Sequence, residues 1–171
     1  LTVDWAADRA ALIELQGVEE ELKRRRRTQG ITYYVPNPKQ LIAHQSAART
    51  IGYVGANRSG ESTFGAAEAV FHATGQYPDW FSKSRRLTPP TKGVIVATEF
   101  PIIDRVIEPK LMEFMPKDAI EHQRRTPQRY LSCLTLKNGS RIDFLTNEMD
   151  DMAFESADWD WFWGDEPQRR N

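Results

Sequence analysis

The segment Gly55-Ala-Asn-Arg-Ser-Gly-Glu-Ser-Thr63 constrains this chain more than any other. Gly55, Gly60 and Ser62 meet the phosphate-loop pattern G-x-x-x-x-G-K-[ST], but Glu61 stands at the lysine position. Glycines there let backbone N–H groups converge on a phosphate, and a following helix turns its positive end to the same anion. The lysine of the pattern reaches the β- and γ-phosphates. A carboxylate instead opposes charge with like charge, at roughly 4 kcal/mol per unit pair at about 4 Å and an effective dielectric of about 20. The segment therefore predicts a nucleotide-binding fold together with impaired hydrolysis.

That loop needs a strand before it and a helix after it. Thr50–Val54 is a short apolar run entering Gly55, and the alanine-rich 62–73 segment reads as a helix. Further along, Gly93–Thr98 reads as a buried strand. Ile103, Val106, Ile107, Leu111 and Phe114 mark one helical face, which Pro109 is expected to kink or restart. Leu131–Thr146 alternates on both sides of Asn138-Gly139, the signature of a hairpin. Trp159–Trp163 is a last strand, running into Gly164-Asp165-Glu166-Pro167. Upstream, 4–27 has a helical apolar face at Trp5, Leu12, Leu15, Val18 and Leu22. A proline-bearing loop (31–40) and a short helix (41–48) follow, and 74–92 is a long connection. This order predicts a three-layer α/β fold, with mainly parallel strands and an appended antiparallel hairpin.

With 23 basic and 24 acidic residues, no bulk field recruits nucleic acid, but charge is segregated. Lys23–Arg27 is a basic run, open to two readings: a solvated helix cap or a DNA contact. Between Arg141 and Arg169 there are nine acidic residues and no basic one. Cys133 is alone, which excludes a disulfide framework. No apolar stretch approaches the ~20 residues of a membrane span and no signal peptide opens the sequence, so a soluble cytoplasmic protein is the default expectation. His44, His72 and His122 have no metal-ligand spacing and read as ordinary, and the tryptophans read as core.

The candidate site is built on the loop. Ser62 would place its hydroxyl on Mg²⁺ and Asp165 would hold the same ion, directly or through water. Glu166 would orient and deprotonate the attacking water. Arg58 could donate to the γ-phosphate, pair with Glu61, or face solvent. Gln40 could pair its amide with an adenine edge, with Tyr33 or Tyr34 stacked on the ring, or it could serve as a turn or capping residue.

Taken together, GANRSGES (55–62), PNPKQLIAHQSA (36–47), GVIVATEFP (93–101), LKNGSRIDFLT (136–146) and SADWDWFWGDEPQ (156–168) resemble the large terminase subunit of tailed bacteriophages, in its N-terminal ATPase domain. The resemblance spans about residues 31–168. It implies a P-loop NTPase core of the ASCE type, the class with an added catalytic glutamate. That core would couple Mg-ATP hydrolysis to translocation of double-stranded DNA into a capsid.

By the same resemblance, Gln40, Gly55, Asn57, Arg58, Ser59, Gly60, Glu61, Ser62 and Thr63 would bind ATP. Ser62 and Asp165 would hold Mg²⁺, and Glu166 and Arg58 would be catalytic. Expected partners are the capsid portal, the small terminase subunit and further copies of the chain in a ring, in the host cell cytoplasm and without a membrane. Residues 1–30 would form an N-terminal helix with its basic run, and 31–171 the ATPase core, ending just after the Walker B motif with no nuclease domain. The sequence departs from the family at Glu61 and in the Trp- and Asp-bearing strand before Asp165. Two other readings remain: a helicase-type nucleic-acid remodelling ATPase, and a degenerate phosphate-loop module that does not hydrolyse nucleotide.

Overall fold

The computed structural model describes residues 5–55, 59–149 and 158–165. Five strands form one mixed sheet: β1 (Lys92–Ala97), β2 (Ile120–Arg125), β3 (Leu131–Leu136), β4 (Arg141–Thr146) and β5 (Trp161–Gly164), in the order β2-β3-β4-β1-β5. The central strand β1 runs parallel to β4 and β5, while β3 is antiparallel to β2 and β4. The expected strands near 93–98 and 159–163 and the 131–146 hairpin are all present. At the hairpin tip Gly139 adopts a left-handed φ of 84°, as that turn requires. Asn138 Nδ2 also donates to the carbonyl of Ala73 (2.9 Å), tying the tip to a helix end.

The first helix, α1 (Trp5–Thr28), ends in the basic run. Lys23, Arg24 and Arg25 pair with Glu19 and Glu21 one turn back, at 2.7–2.8 Å and in solvent. Such exposed pairs contribute little to stability. Its apolar residues Leu12, Leu15, Val18 and Leu22 are exposed, and α1 meets the rest of the fold mainly near Gly30–Tyr33 and Lys117–Ala119.

Helix α2 (Pro38–Gln45) starts three residues earlier than 41 because Asn37 and Gln40 form a reciprocal capping box and Pro38 sits in the first turn. Helix α3 (Glu61–Thr74) is the centre of the fold: every residue from Phe64 to Ala73 is buried. Alanines at 66, 67, 69 and 73 let it pack closely, and Gly65 makes room for the indole of Trp163 on β5. A Cβ at Gly65 would stand 2.1 Å from that ring.

The segment after β1 is helical in three parts: α4 (Phe100–Ile102), a π turn (Ile103–Ile107) and α5 (Glu108–Phe114). Pro109 has no N–H for the α ladder, and the widened turn lies just before it, which is the expected interruption. Ile103, Ile107 and Leu111 join α3, Ile95, Leu134, Leu136, Ile142, Phe144 and Trp161 in one apolar core. These residues lie on one face of the sheet. Val94, Val96 and Cys133, on the other face, are buried outside that cluster. Among the described residues two layers are therefore seen, a mixed sheet and the helices over one face.

The third layer expected from the sequence is not seen among the described residues, and two further features depart from the sequence reading. Thr50–Val54 forms no strand. A strand exists only through its pairing, and this run pairs with none of the five strands, although among the described residues β5 has a partner on one side alone. Val54 is 95% exposed, and Tyr53 stacks instead on Phe64, with ring centroids 5.0 Å apart. Strand β2, in a stretch without apolar alternation, forms as the antiparallel edge partner of β3 and is almost wholly exposed. Its charged residues suit an edge that must not recruit other strands. No described helix is long and apolar enough to cross a membrane.

Candidate nucleotide site

The loop closes onto α3 at Gly60, whose φ of 89° is left-handed. Glu61 opens the helix there, where a negative side chain favours the helix dipole. Its Oε1 accepts the backbone N–H of Gly55 at 2.6 Å and the hydroxyl of Ser59 at 3.3 Å. The carboxylate thus engages one of the loop's own backbone donors.

Ser62, one residue on, is half-buried, and its Oγ lies 3.4 Å from Asp165 Oδ1. The two residues are 103 positions apart in sequence. Asp165 follows β5 directly, and its backbone N–H extends the sheet ladder to the carbonyl of Val96 at 2.9 Å. A helix start and a strand end thereby converge on one point. Magnesium takes one or two protein oxygens together with water and phosphate oxygens, so this hydroxyl–carboxylate pair fits it. Among the described residues no group of three His, Cys, Asp or Glu side chains is placed to hold a metal.

The other expected site residues divide into three groups. Thr63 sits half-buried on the first turn of α3, and Ser59 and Gly60 form the loop's exit. Asn57, Arg58 and Glu166 lie outside the described residues. Gln40 is placed beside the loop, but its amide is engaged: Oε1 accepts the backbone N–H of Asn37 at 2.9 Å and Nε2 donates to the carbonyl of Gly60 at 2.8 Å. Of the two tyrosines proposed to stack on a base, Tyr33 is exposed and Tyr34 is in the core against Phe71 and Phe114. Tyr34 is therefore not placed to stack on a ligand.

Reading the histidines as ordinary missed a buried polar network behind the loop. Glu68, on the buried face of α3, accepts from His44 Nδ1 at 2.6 Å, from His72 Nε2 at 3.2 Å, and from Arg85 Nη2. Each histidine's second nitrogen faces a tyrosine hydroxyl, Tyr34 for His44 at 2.9 Å and Tyr77 for His72 at 2.8 Å. In the tautomers that place N–H on His44 Nδ1 and His72 Nε2, each ring donates to Glu68 and accepts from its tyrosine hydroxyl.

Burial alone would raise the Glu68 carboxyl. The hydrogen bonds from His44 and His72 and the charge of Arg85 outweigh it and bring the carboxyl down to about 2. Burial likewise raises both phenols, Tyr77 to about 12. The available sequence signal was Glu68 with His72 four residues on, a carboxylate–imidazole pair in an alanine-rich helix.

No family model matches this chain, and no curated protein or solved structure is similar to it. The functional reading rests on the residues themselves.

Proposed function

We propose that the chain is the ATPase region of a DNA-packaging motor of the terminase type, a P-loop NTPase, with its activity suppressed by Glu61. The observation that carries this reading is the approach of Ser62 Oγ to Asp165 Oδ1 at 3.4 Å, at the start of a helix and the end of a strand. In that role Ser62 and Asp165 hold Mg²⁺, and the backbone donors of the 55–63 loop hold the phosphates. A bound magnesium ion would supply charge neutralisation at the β- and γ-phosphate oxygens. Glu166, next in the chain, would take a proton from the attacking water, and Arg58 would stabilise charge on the transferred phosphoryl group. Double-stranded DNA, a capsid portal, a small terminase subunit and ring neighbours are the corresponding partners, in the host cell cytoplasm.

The inward turn of Glu61 onto Gly55 favours a second reading, a phosphate-loop module that has given up hydrolysis. Mg-ATP binding and turnover, measured on this chain and on Glu61→Lys, separate the two. The substitution removes the internal acceptor and restores an attractive charge, and the expected result is at least about tenfold tighter Mg-ATP binding with measurable turnover. Equal turnover in the two forms would refute suppression by Glu61. Absence of nucleotide binding in both would refute the ATPase reading.

A further inference from the structure

Gln40 and His44 lie one turn apart on the buried face of α2, exposed by 3% and 0%. Both reach α3, but at different heights. Gln40 Nε2 donates to the carbonyl of Gly60, which also accepts the first helical hydrogen bond of α3 from Phe64 N at 2.9 Å. His44 Nδ1 meets Glu68 two turns further along. A weaker third tie runs from Asn37 Nδ2 to the carbonyl of Ser59 at 3.4 Å. Helix α2 is thus clamped along the first half of α3, and its loop-side tie falls on Gly60, the left-handed hinge between loop and helix.

We infer that Gln40 is a positioning residue for the phosphate loop, acting through Gly60, and that it does not select the nucleotide base. The inference rests on reading the 55–63 loop as a phosphate site. Recognition of an adenine edge needs one acceptor and one donor from the same amide. In Gln40 the oxygen accepts from Asn37 N–H and one N–H goes to Gly60. One lone pair and one N–H remain, but the residue is only 3% exposed, so a base reaches them only if the amide turns outward. Turning the amide to a base would open the capping box of α2 and release the hinge carbonyl together. The geometry assigns the group to the hinge: Gly60 has no Cβ, and one placed there would stand 2.7 Å from Gln40 Nε2.

Two variants separate the two bonds. Gln40→Glu keeps an acceptor for Asn37 N–H but has no N–H for Gly60, whereas Gln40→Ala loses both. The first readout is amide hydrogen exchange of the full chain without nucleotide. Both variants are expected to speed exchange by about tenfold or more at Phe64, whose N–H bonds to the Gly60 carbonyl, while Val70–Ala73 in the C-terminal half of α3 stays protected.

The second readout is the ratio of Mg-ATP to Mg-GTP affinity in the Glu61→Lys background. Both nucleotides are expected to weaken by the same factor, leaving the ratio unchanged. A collapsed ratio with unchanged exchange would overturn the inference in favour of base reading. Unchanged exchange in both variants would overturn it on its own. If no nucleotide binds in any form, the ATPase reading fails and the exchange result alone decides the role of Gln40 at the hinge.

Discussion

Replacing Glu68 by alanine tests the central polar network, and its cost can be worked from the contacts. Glu68 is the sole acceptor that the described contacts give to His44 Nδ1 and His72 Nε2, and its partner Arg85 is largely buried. Alanine would leave the Arg85 charge without its counter-ion, keeping only the Ala43 carbonyl as acceptor for Nη1, and two ring N–H groups without an acceptor in a water-poor site. Removing one partner of a buried ion pair costs about 3–5 kcal/mol. Linkage leads to a similar figure: a carboxyl held at about 2 rather than 4.5 contributes roughly 3 kcal/mol.

The sign follows from the depressed value. The contribution is fully present above about pH 4.5 and is lost as pH falls towards 2. Urea denaturation at pH 7 is expected to show Glu68→Ala destabilised by about 3–4 kcal/mol. The parent should lose that advantage across the acid window, while the variant's stability changes less there. A difference below about 1 kcal/mol at pH 7, or parallel acid profiles, would refute the account of a satisfied buried carboxylate.

Two further substitutions test neighbouring contacts. Gly65→Ala would drive a methyl group to 2.1 Å from the Trp163 ring. The overpacking costs about 1–3 kcal/mol and alanine's better helix propensity returns at most about 1, so a net loss is expected. Because Trp163 lies two residues before Asp165, a change in tryptophan fluorescence should accompany it; unchanged stability and spectrum would contradict the close approach. Tyr34→Phe removes the hydroxyl that meets His44 Nε2, leaving a buried acceptor unmet. Thermal or urea unfolding should register about 1–3 kcal/mol, and a loss under about 0.5 would show that the tyrosine contributes packing alone.

Much of the fold was legible because its signals are local. Alternation around Asn138-Gly139, the continuous apolar run at Val94–Ala97 and the alanine-rich stretch after Gly60 each set one element through backbone preference and one-sided burial. The charged edge strand β2 carried no such signal, since it owes its conformation to its neighbour β3. In the site, Ser62 and Asp165 were readable as a pair because each stands at a recognisable junction, of loop with helix and of strand with turn. The engagement of Gln40 was not readable, because a glutamine's hydrogen-bond partners depend on what the fold brings within 3 Å of it.

The sequence by itself determined strand β1, helix α3, the β3–β4 hairpin with its turn, the glycine before α3 and the negative charge at Glu61. These follow from steric limits on φ and ψ, from periodicity and from the sign of a side chain. Only the tertiary structure decided that Thr50–Val54 stays out of the sheet, with Tyr53 stacked on Phe64 of α3 and Val54 left in solvent, because a strand needs a pairing partner that local sequence does not supply. It alone decided that Glu61 turns onto Gly55 and that Glu68 is satisfied by residues from α2, α3 and the 74–92 connection. A buried polar group must find its partners in three dimensions, and sequence spacing does not specify which chain segments will supply them.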